Sequence, residues 1–131
     1  GTLNRRTIPS MLAAGRRANE LNHPVVLDPV GAGASSLRTE TALKLLEEVR
    51  FAAVRGNISE IKALSSGRGT TRGVDADVAD RVTEENLQEA VDFAKSFAAN
   101  LNTVAAVTGA IDIVTDGKRA YCIRNGHPDM R

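Results

Sequence analysis

The chain has 131 residues, 42% of them apolar and 25% charged, which is enough for one domain with a buried core. Its formal net charge of +1, 3% aromatic content and lack of tryptophan remove the usual electrostatic and base-stacking grounds for expecting a nucleic acid or an anionic membrane as partner. No apolar run approaches the roughly 20 residues of a membrane span. Cys122 is the only cysteine, so an internal disulfide is excluded and we expect a cytoplasmic domain.

Apolar periodicity and turn residues predict alternating helices and strands. In chain order these are a helix over residues 7–22, a strand over 24–28, a helix from 36 or 39 to 49, a strand over 51–55, a helix over 57–64, a helix over 83–101 and a strand over 103–107. Thr7 and Thr83 are the expected N-caps of the first and last helices, and the polar, glycine-rich residues 65–82 predict a mobile loop. Strand-like residues on both sides of Asp116-Gly117 predict a hairpin with a two-residue type I′ turn.

This order of elements predicts an α/β fold in a single domain over residues 1–131. We expect a mostly parallel sheet flanked by helices, with an antiparallel hairpin at its C-terminal end. The apolar run that ends at Asp28 is expected to form a strand buried on both faces. The carboxyl ends of parallel strands meet at one edge of the sheet, which is where open α/β folds bind their ligands.

Three predicted strand ends bring polar residues to this edge. They are Asp28 with the glycine turn Gly31-Ala32-Gly33, then Arg55 with Asn57 and Glu60, and then Thr108 with Gly109. Carboxylate oxygens suit Mg²⁺, an arginine suits phosphate oxygens, and glycine turns and helix N-termini offer amides to anions. No single element is specific, but their combination predicts a magnesium–nucleotide site.

Each element also has a purely structural interpretation. Asn57-Ile58-Ser59-Glu60 fits a helix capping box, and Asp28 before a proline fits a turn cap.

Gly31-Ala32-Gly33 carries only the first two glycines of a dinucleotide fingerprint, which leaves an NAD site as an alternative. The sequence contains no Gly-Lys-Ser/Thr, which excludes a Walker A loop, and His23 and His127 lack the spacing of zinc ligands.

At these motifs the chain resembles the hydroxyethylthiazole kinases of thiamine biosynthesis and salvage. The run that ends in Asp28-Pro29-Val30-Gly31-Ala32-Gly33, followed by Arg55-Gly56-Asn57-x-x-Glu60, carries most of the resemblance. The further matching segments are residues 38–40, 73–76, 102–104, 107–109 with Asp112, and 125–127.

The resemblance implies a three-layer ribokinase-like fold, a homotrimer, and Mg²⁺-dependent transfer of the γ-phosphate of ATP to 4-methyl-5-(2-hydroxyethyl)thiazole. Carried over by motif position, the implied metal ligands are Asp28 and Glu60, the implied ATP contacts are Arg55, Asn57, Thr108 and Gly109, and the implied phosphate loop contains Gly31 and Gly33.

Hydroxyethylthiazole kinases are longer than this chain, so the resemblance implies an internal fragment with a partial kinase domain. The N-terminal substrate-pocket part and the C-terminal Thr-Gly-Thr-Gly-Cys anion hole would be missing. Cys122 precedes Asn125-Gly126-His127 and is not that cysteine, so we expect no catalytic residue in this chain. A nucleotide-binding module without catalysis, another ribokinase-like kinase and a nicotinamide-hydrate dehydratase remain alternatives.

Overall fold

Helices and strands alternate along the part of the chain that the computed structural model describes, which is residues 6–68 and 78–126. The elements are α1 (Thr7–Glu20), β1 (Val26–Leu27), α2 (Ser36–Glu48), β2 (Ala53–Asn57), α3 (Ile58–Gly67), α4 (Leu87–Leu101), β3 (Val104–Thr108), β4 (Ile111–Thr115) and β5 (Ala120–Arg124). The matching segment at 73–76 and His127 lie outside the described residues.

The five strands form one sheet in the order β1-β2-β3-β4-β5. The first three strands are parallel, with Leu27 paired to Val54 and Asn57 paired to Thr108. The last two strands add antiparallel neighbours. The predicted α/β fold, with a parallel sheet and a C-terminal antiparallel hairpin, is therefore confirmed.

The helices pack against one face of the sheet. Side chains on this face are fully buried: Val54, Ala105, Val107 and Ile113 each expose 0% of their surface, and they join the helical residues in one apolar core. Residues that point to the other face are more accessible, and on the outer strands Val26, Tyr121 and Ile123 are 60%, 64% and 51% exposed. Within the described residues, the second helical layer of a three-layer arrangement is not found on this open sheet face.

The first two strands differ from their predicted limits. The strand expected over 24–28, buried on both faces, contains only Val26 and Leu27. Leu27 is buried in the core, whereas Val26 is exposed because it points to the open face of the sheet. The second strand does not close at Gly56. It continues through Asn57, because Gly56 pairs with Val107 and Asn57 with Thr108.

The hairpin turn also differs from the prediction. Thr115 pairs with Ala120, so four residues rather than two connect β4 and β5. A type I′ turn needs positive φ at both central residues, but of the pair only Gly117 has one, at 98°. The Asp116 carboxylate instead accepts the amides of Lys118 and Arg119, at 2.8 and 2.9 Å, and these two hydrogen bonds lower its pKa.

The predicted start of the last helix is wrong by one turn. Asn86 is the N-cap of α4, and Thr83 caps only the preceding turn, where its hydroxyl accepts the amide of Asn86 at 3.3 Å.

Part of the stretch expected to be a loop is ordered, since α3 continues to Gly67 and both Val78 and Val82 are buried. None of the helices in the described part of the chain combines the length and apolarity that a membrane crossing requires.

Candidate functional site

The carboxyl ends of β1, β2 and β3 lie along one edge of the sheet, as their parallel order requires. Asp28 follows β1 directly, Arg55 and Asn57 belong to the last half of β2, and Thr108 ends β3. All of the predicted site residues are therefore at, or next to, the same edge.

Asp28 and Arg55 contact each other across the first two strands. The distance from Arg55 Nη1 to Asp28 Oδ2 is 3.3 Å, and the two side chains are 58% and 46% exposed. The proximity follows from the register, because Leu27 pairs with Val54 and each partner is followed by one of these two residues. A predicted phosphate ligand and a predicted metal ligand thus form an ion pair that remains accessible from solvent.

Glu60 joins the helix α3 to the glycine turn. Its Oε1 accepts the amide of Asn57 at 2.9 Å while the Asn57 side chain accepts the amide of Glu60 at 2.8 Å, which is a complete capping box. Its Oε2 accepts the amide of Gly31 at 3.0 Å. The capping interpretation of Asn57 and Glu60 is therefore confirmed, but the same carboxylate also fixes the turn that follows β1.

Gly56 keeps room for that carboxylate. A Cβ at this position would lie 2.9 Å from Glu60 Oε1 and 3.6 Å from Pro29 Cγ. A side chain at position 56 would therefore displace the carboxylate that joins the helix and the turn.

The glycine turn needs its two glycines for conformation and for space. Gly31 and Gly33 have φ angles of 83° and 91°, a region that side-chain-bearing residues rarely adopt. A Cβ at Gly31 would lie 2.5 Å from Arg38 Cδ, and one at Gly33 would lie 3.2 Å from Ala63 Cβ. The packing of the turn against α2 and α3 thus explains both glycines without a ligand.

The amides of this turn already have acceptors. Gly31 donates to Glu60, and Gly33 donates to Thr39 Oγ1 at 2.8 Å. The amides of Val30, Ala32, Ala34 and Ser35 donate to backbone carbonyls of the turn itself. A phosphate bound through Gly31 or Gly33 would have to replace one of these hydrogen bonds, so their assignment to a phosphate loop remains a prediction.

Gly109 differs from the turn glycines. Its φ is not positive, and a Cβ would meet only the carbonyl oxygen of Ile111, at the ordinary contact distance of 3.7 Å. Its peptide groups are held from two sides: its amide donates to Asp112 Oδ1 at 2.8 Å, and its carbonyl accepts from Asn125 Nδ2 at 3.1 Å. The fold positions Gly109 but does not require a glycine there, which leaves close approach of a ligand as a reason for the missing side chain.

An open cleft of about 720 Å³ runs along this edge. It is lined by Asn57, Ile58, Ser59, Asp80, Arg81, Val82, Thr108, Gly109, Ala110, Asn125 and Gly126. A second cleft of about 500 Å³ adjoins it and contains the glycine turn, Glu60 and Lys62. The two clefts share Asn57, Ser59 and Asp80, and the first is within the size range of small-molecule sites.

The donor set at this edge is compatible with Mg²⁺ but not with a fully protein-ligated metal. Among residues 6–68 and 78–126, no group of three or more His, Cys, Asp or Glu side chains could hold a metal ion. Mg²⁺ usually keeps several waters and needs only one or two carboxylates besides substrate phosphates. Asp28 and Glu60 satisfy that requirement in chemical type, with lone pairs left beyond the hydrogen bonds that they accept.

An exposed ion pair lies beside the cleft. Arg124, next to Asn125, donates from Nε and Nη2 to both carboxylate oxygens of Glu84, at 2.7 and 2.9 Å. These hydrogen bonds lower the pKa of Glu84 and raise that of Arg124. The pair connects the end of β5 to the turn that precedes α4.

The sequence did not indicate a role for several residues that line the cleft. Asp80, Arg81 and Val82 fell within the stretch expected to be a loop, and no motif distinguished Lys62 as a positioning side chain. The Asn125-Gly126 pair signalled a turn and belongs to a segment that matches the family, but neither observation assigned a role to the Asn125 side chain. Their contacts join parts of the chain that are distant in sequence, which periodicity does not show.

The fold and this edge define a class, an α/β protein with a polar cleft at the carboxyl ends of its parallel strands. Comparison with known proteins is more specific, because the sequence model of the hydroxyethylthiazole kinase family matches residues 1–131. The chain belongs to the hydroxyethylthiazole kinase family.

Individual relatives agree with this assignment. The chain is 59% identical over 130 residues to a hydroxyethylthiazole kinase of Clostridium acetobutylicum and 54% identical over 130 residues to one of Desulfovibrio desulfuricans. These matches cover 99% of this chain but only 48% and 46% of the relatives. The solved structure of a hydroxyethylthiazole kinase protein from Pyrococcus horikoshii superimposes with a TM-score of 0.79 at 38% identity, over 99% of this chain and 44% of that one. The chain thus spans about half the length of the relatives that it matches.

Proposed function

We propose that this chain is the nucleotide-binding part of a kinase that transfers the γ-phosphate of ATP to 4-methyl-5-(2-hydroxyethyl)thiazole in thiamine biosynthesis or salvage. The observation that carries the proposal is the convergence of Asp28, Arg55, Glu60 and Thr108 on one sheet edge, beside a cleft of about 720 Å³. The names of the relatives supply the reaction.

Each site residue has a role that its chemistry and position support. Arg55 would neutralise phosphate oxygens, and Thr108 would offer its hydroxyl from the end of β3. Asn57 and Gly109 line the cleft, and the missing side chain of Gly109 would let the nucleotide approach the backbone. Asp28 and Glu60 would hold Mg²⁺ through one or two carboxylates and water.

The proposed part of the reaction is positioning and charge stabilisation. When bound, Mg²⁺ supplies positive charge to the phosphate oxygens. The chain's own residues hold the nucleotide at the edge, with Arg55 facing the phosphates and the capping box keeping the N-terminus of α3 in place. We assign no catalytic residue to this chain, because Cys122 lies in β5, before Asn125-Gly126, and does not match the cysteine that the family resemblance implies.

Residues 1–131 would then be a single partial kinase domain. Two findings support this: the chain covers 48% of its relative in Clostridium acetobutylicum, and the open sheet face carries exposed apolar side chains. We further propose that the complete enzyme is a cytoplasmic homotrimer, as the family resemblance implies.

Binding and turnover by the 131-residue chain give the first test. Titration with ATP in the presence of Mg²⁺ should show binding, whereas a coupled assay of ADP release with the thiazole alcohol should show no turnover. Robust turnover would overturn the assignment of a partial domain, and absence of nucleotide binding would count against the proposed site.

A chimera tests the reaction itself. The 130 matching residues of this chain would replace the corresponding segment of the Clostridium acetobutylicum relative, and the thiazole phosphate would be measured. Since the two sequences are 59% identical over this region, the chimera should be active. A folded chimera that binds ATP but forms no thiazole phosphate would favour the alternative of a nucleotide-binding module without catalysis.

A further inference from the structure

Lys62 occupies a position that the proposed function leaves unassigned. It is the fifth residue of α3, two residues after Glu60 of the capping box, and its side chain is only 23% exposed. Its ammonium group donates to Asp80 Oδ1 at 2.9 Å and to the carbonyl oxygen of Val78. Lys62 of α3 thus contacts two residues, Val78 and Asp80, of the segment that precedes α4.

The segment that Lys62 contacts forms a wall of the larger cleft. Asp80, Arg81 and Val82 line it together with Asn57 and Thr108. The two ends of the segment are anchored by apolar burial, with Val78 and Val82 exposed by only 3% and 6%. Between these anchors the backbone needs polar contacts to keep its position.

Two side chains supply those contacts. The Lys62 ammonium group donates to the carbonyl oxygen of Val78 and to the carboxylate of Asp80. Asn86 Nδ2 donates to the carbonyl oxygen of Arg81 at 2.7 Å. Lys62 also neutralises Asp80, whose side chain is 78% exposed and lines both clefts. Without that cation, a free carboxylate would face any phosphate bound between the clefts.

We propose that Lys62 is a positioning residue for the nucleotide: it fixes the wall formed by residues 78–82 and cancels the negative charge of Asp80 beside the phosphates. This inference rests on the proposed function, since the ligand that benefits is ATP. Lys62 itself acts through Asp80 and the wall, and is not assigned a contact with substrate.

The test combines two measurements on the 131-residue chain. Lys62→Met keeps the aliphatic stem but removes the ammonium group, and Lys62→Arg restores a charged donor. Lys44→Met is the matched control, because it removes a partly exposed ion pair with Glu48, at 3.7 Å on α2, and neither residue lines either cleft. Amide hydrogen exchange of residues 78–82 reports the wall, and titration with Mg²⁺–ATP reports affinity.

Lys62→Met should speed exchange at residues 78–82 and weaken ATP binding about threefold to tenfold, as expected for the loss of one partly buried charge contact. Lys62→Arg should recover most of the affinity, and Lys44→Met should change neither measurement. Unchanged exchange in Lys62→Met would overturn the inference, as would faster exchange with unchanged affinity, which would make Lys62 a purely structural contact. If the wild-type chain bound no ATP, the proposed function and this inference would both fail. Equal ATP binding by the wild-type chain and Lys62→Met would refute this inference and leave the proposed function standing.

Discussion

The carboxylate of Glu60 lies 3.0 Å from the amide nitrogen of Gly31, so the first helical turn of α3 and the turn after β1 are held by one side chain. The same carboxylate accepts the amide of Asn57. Two segments that line the proposed nucleotide site therefore depend on one acid for their relative position.

Replacing Glu60 by Gln should affect both stability and magnesium dependence. The amide side chain keeps one acceptor oxygen, so either Gly31 or Asn57 loses its partner, at a cost of about 0.5–1.5 kcal/mol in the free energy of unfolding. Removal of the charge should weaken ATP binding more in Mg²⁺ than in EDTA. Thermal melts and nucleotide titrations in both buffers measure these effects, with Glu47→Gln on the exposed side of α2 as the control.

A capping role alone would give a different outcome for Glu60→Gln. The melting temperature would fall by a few degrees, while the ratio of ATP affinities with and without Mg²⁺ would stay the same as in the wild-type chain.

Two glycine-to-alanine changes should have opposite effects. Gly109→Ala introduces a methyl group that meets no heavy atom closer than 3.7 Å, so the melting temperature should be unchanged or slightly raised. Because Gly109 lines the cleft in which we propose that the nucleotide binds, ATP affinity should fall severalfold. Gly31→Ala should instead lower stability by about 1–3 kcal/mol, since it combines a φ of 83° with a contact of 2.5 Å to Arg38.

Differential scanning fluorimetry and nucleotide titration of the two glycine variants decide between these explanations. Full ATP affinity in a stable Gly109→Ala chain would mean that no ligand approaches this position.

The ion pair between Asp28 and Arg55 should contribute more to ligand binding than to stability. An exposed pair contributes about 0–1 kcal/mol to folding, so Asp28→Asn and Arg55→Gln should melt close to the wild-type temperature. Asp28→Asn should raise the Mg²⁺ concentration needed for half-maximal ATP binding, whereas Arg55→Gln should weaken ATP binding at every Mg²⁺ concentration. Magnesium titrations at fixed nucleotide measure the difference, and identical curves for the two variants would contradict separate metal and phosphate roles.

The pair between Glu84 and Arg124 should make a small contribution to stability that depends on pH. Folding lowers the pKa of Glu84 below its ordinary value of 4.5, because Arg124 donates to the charged carboxylate. A depressed folded pKa stabilises the folded chain above pH 4.5, and that stabilisation is lost as the pH falls through the folded value. Urea midpoints at pH 7 and pH 3.5 should therefore differ less in Glu84→Gln than in the wild-type chain.

Glu85→Gln is the control for the pH experiment, because Glu85 is the neighbouring exposed acid. A pH dependence in Glu84→Gln equal to that of the wild-type chain would show that the ion pair contributes nothing measurable in solution.

The sequence was sufficient for the arrangement of the strands and for the edge at which the polar residues meet. Alternation of apolar runs with helical periodicity predicts parallel strands, and parallel strands place Asp28, Asn57 and Thr108 at one edge whatever their detailed contacts. The family motifs follow those strand ends, which is why the same residues carried both the physical prediction and the resemblance.

Side-chain hydrogen bonds between distant residues could not be predicted in the same way. The sequence predicted that Gly31 and Gly33 belong to a turn that binds anions through free amides. In the structure these two amides donate to Glu60 and Thr39. The contact of Lys62 with Asp80 likewise depends on how α3 packs against the segment before α4.

Local competition between turn types explains the hairpin. Asp116-Gly117 has the composition of a type I′ turn, but the Asp116 carboxylate binds the two amides that follow and selects a four-residue connection. Both structures are consistent with the same pair of residues, and only the register of β4 with β5 distinguishes them.

A nuclear magnetic resonance titration of the ¹⁵N-labelled chain with Mg²⁺ and a non-hydrolysable ATP analogue would show directly whether the nucleotide binds at the proposed edge of the sheet. The proposed site predicts shifts in the amides of Asn57, Ser59, Thr108 and Gly109, with little change at Tyr121 and Ile123 on the open sheet face. Saturable shifts confined to that face, with none at the four cleft residues, would contradict the proposed nucleotide site.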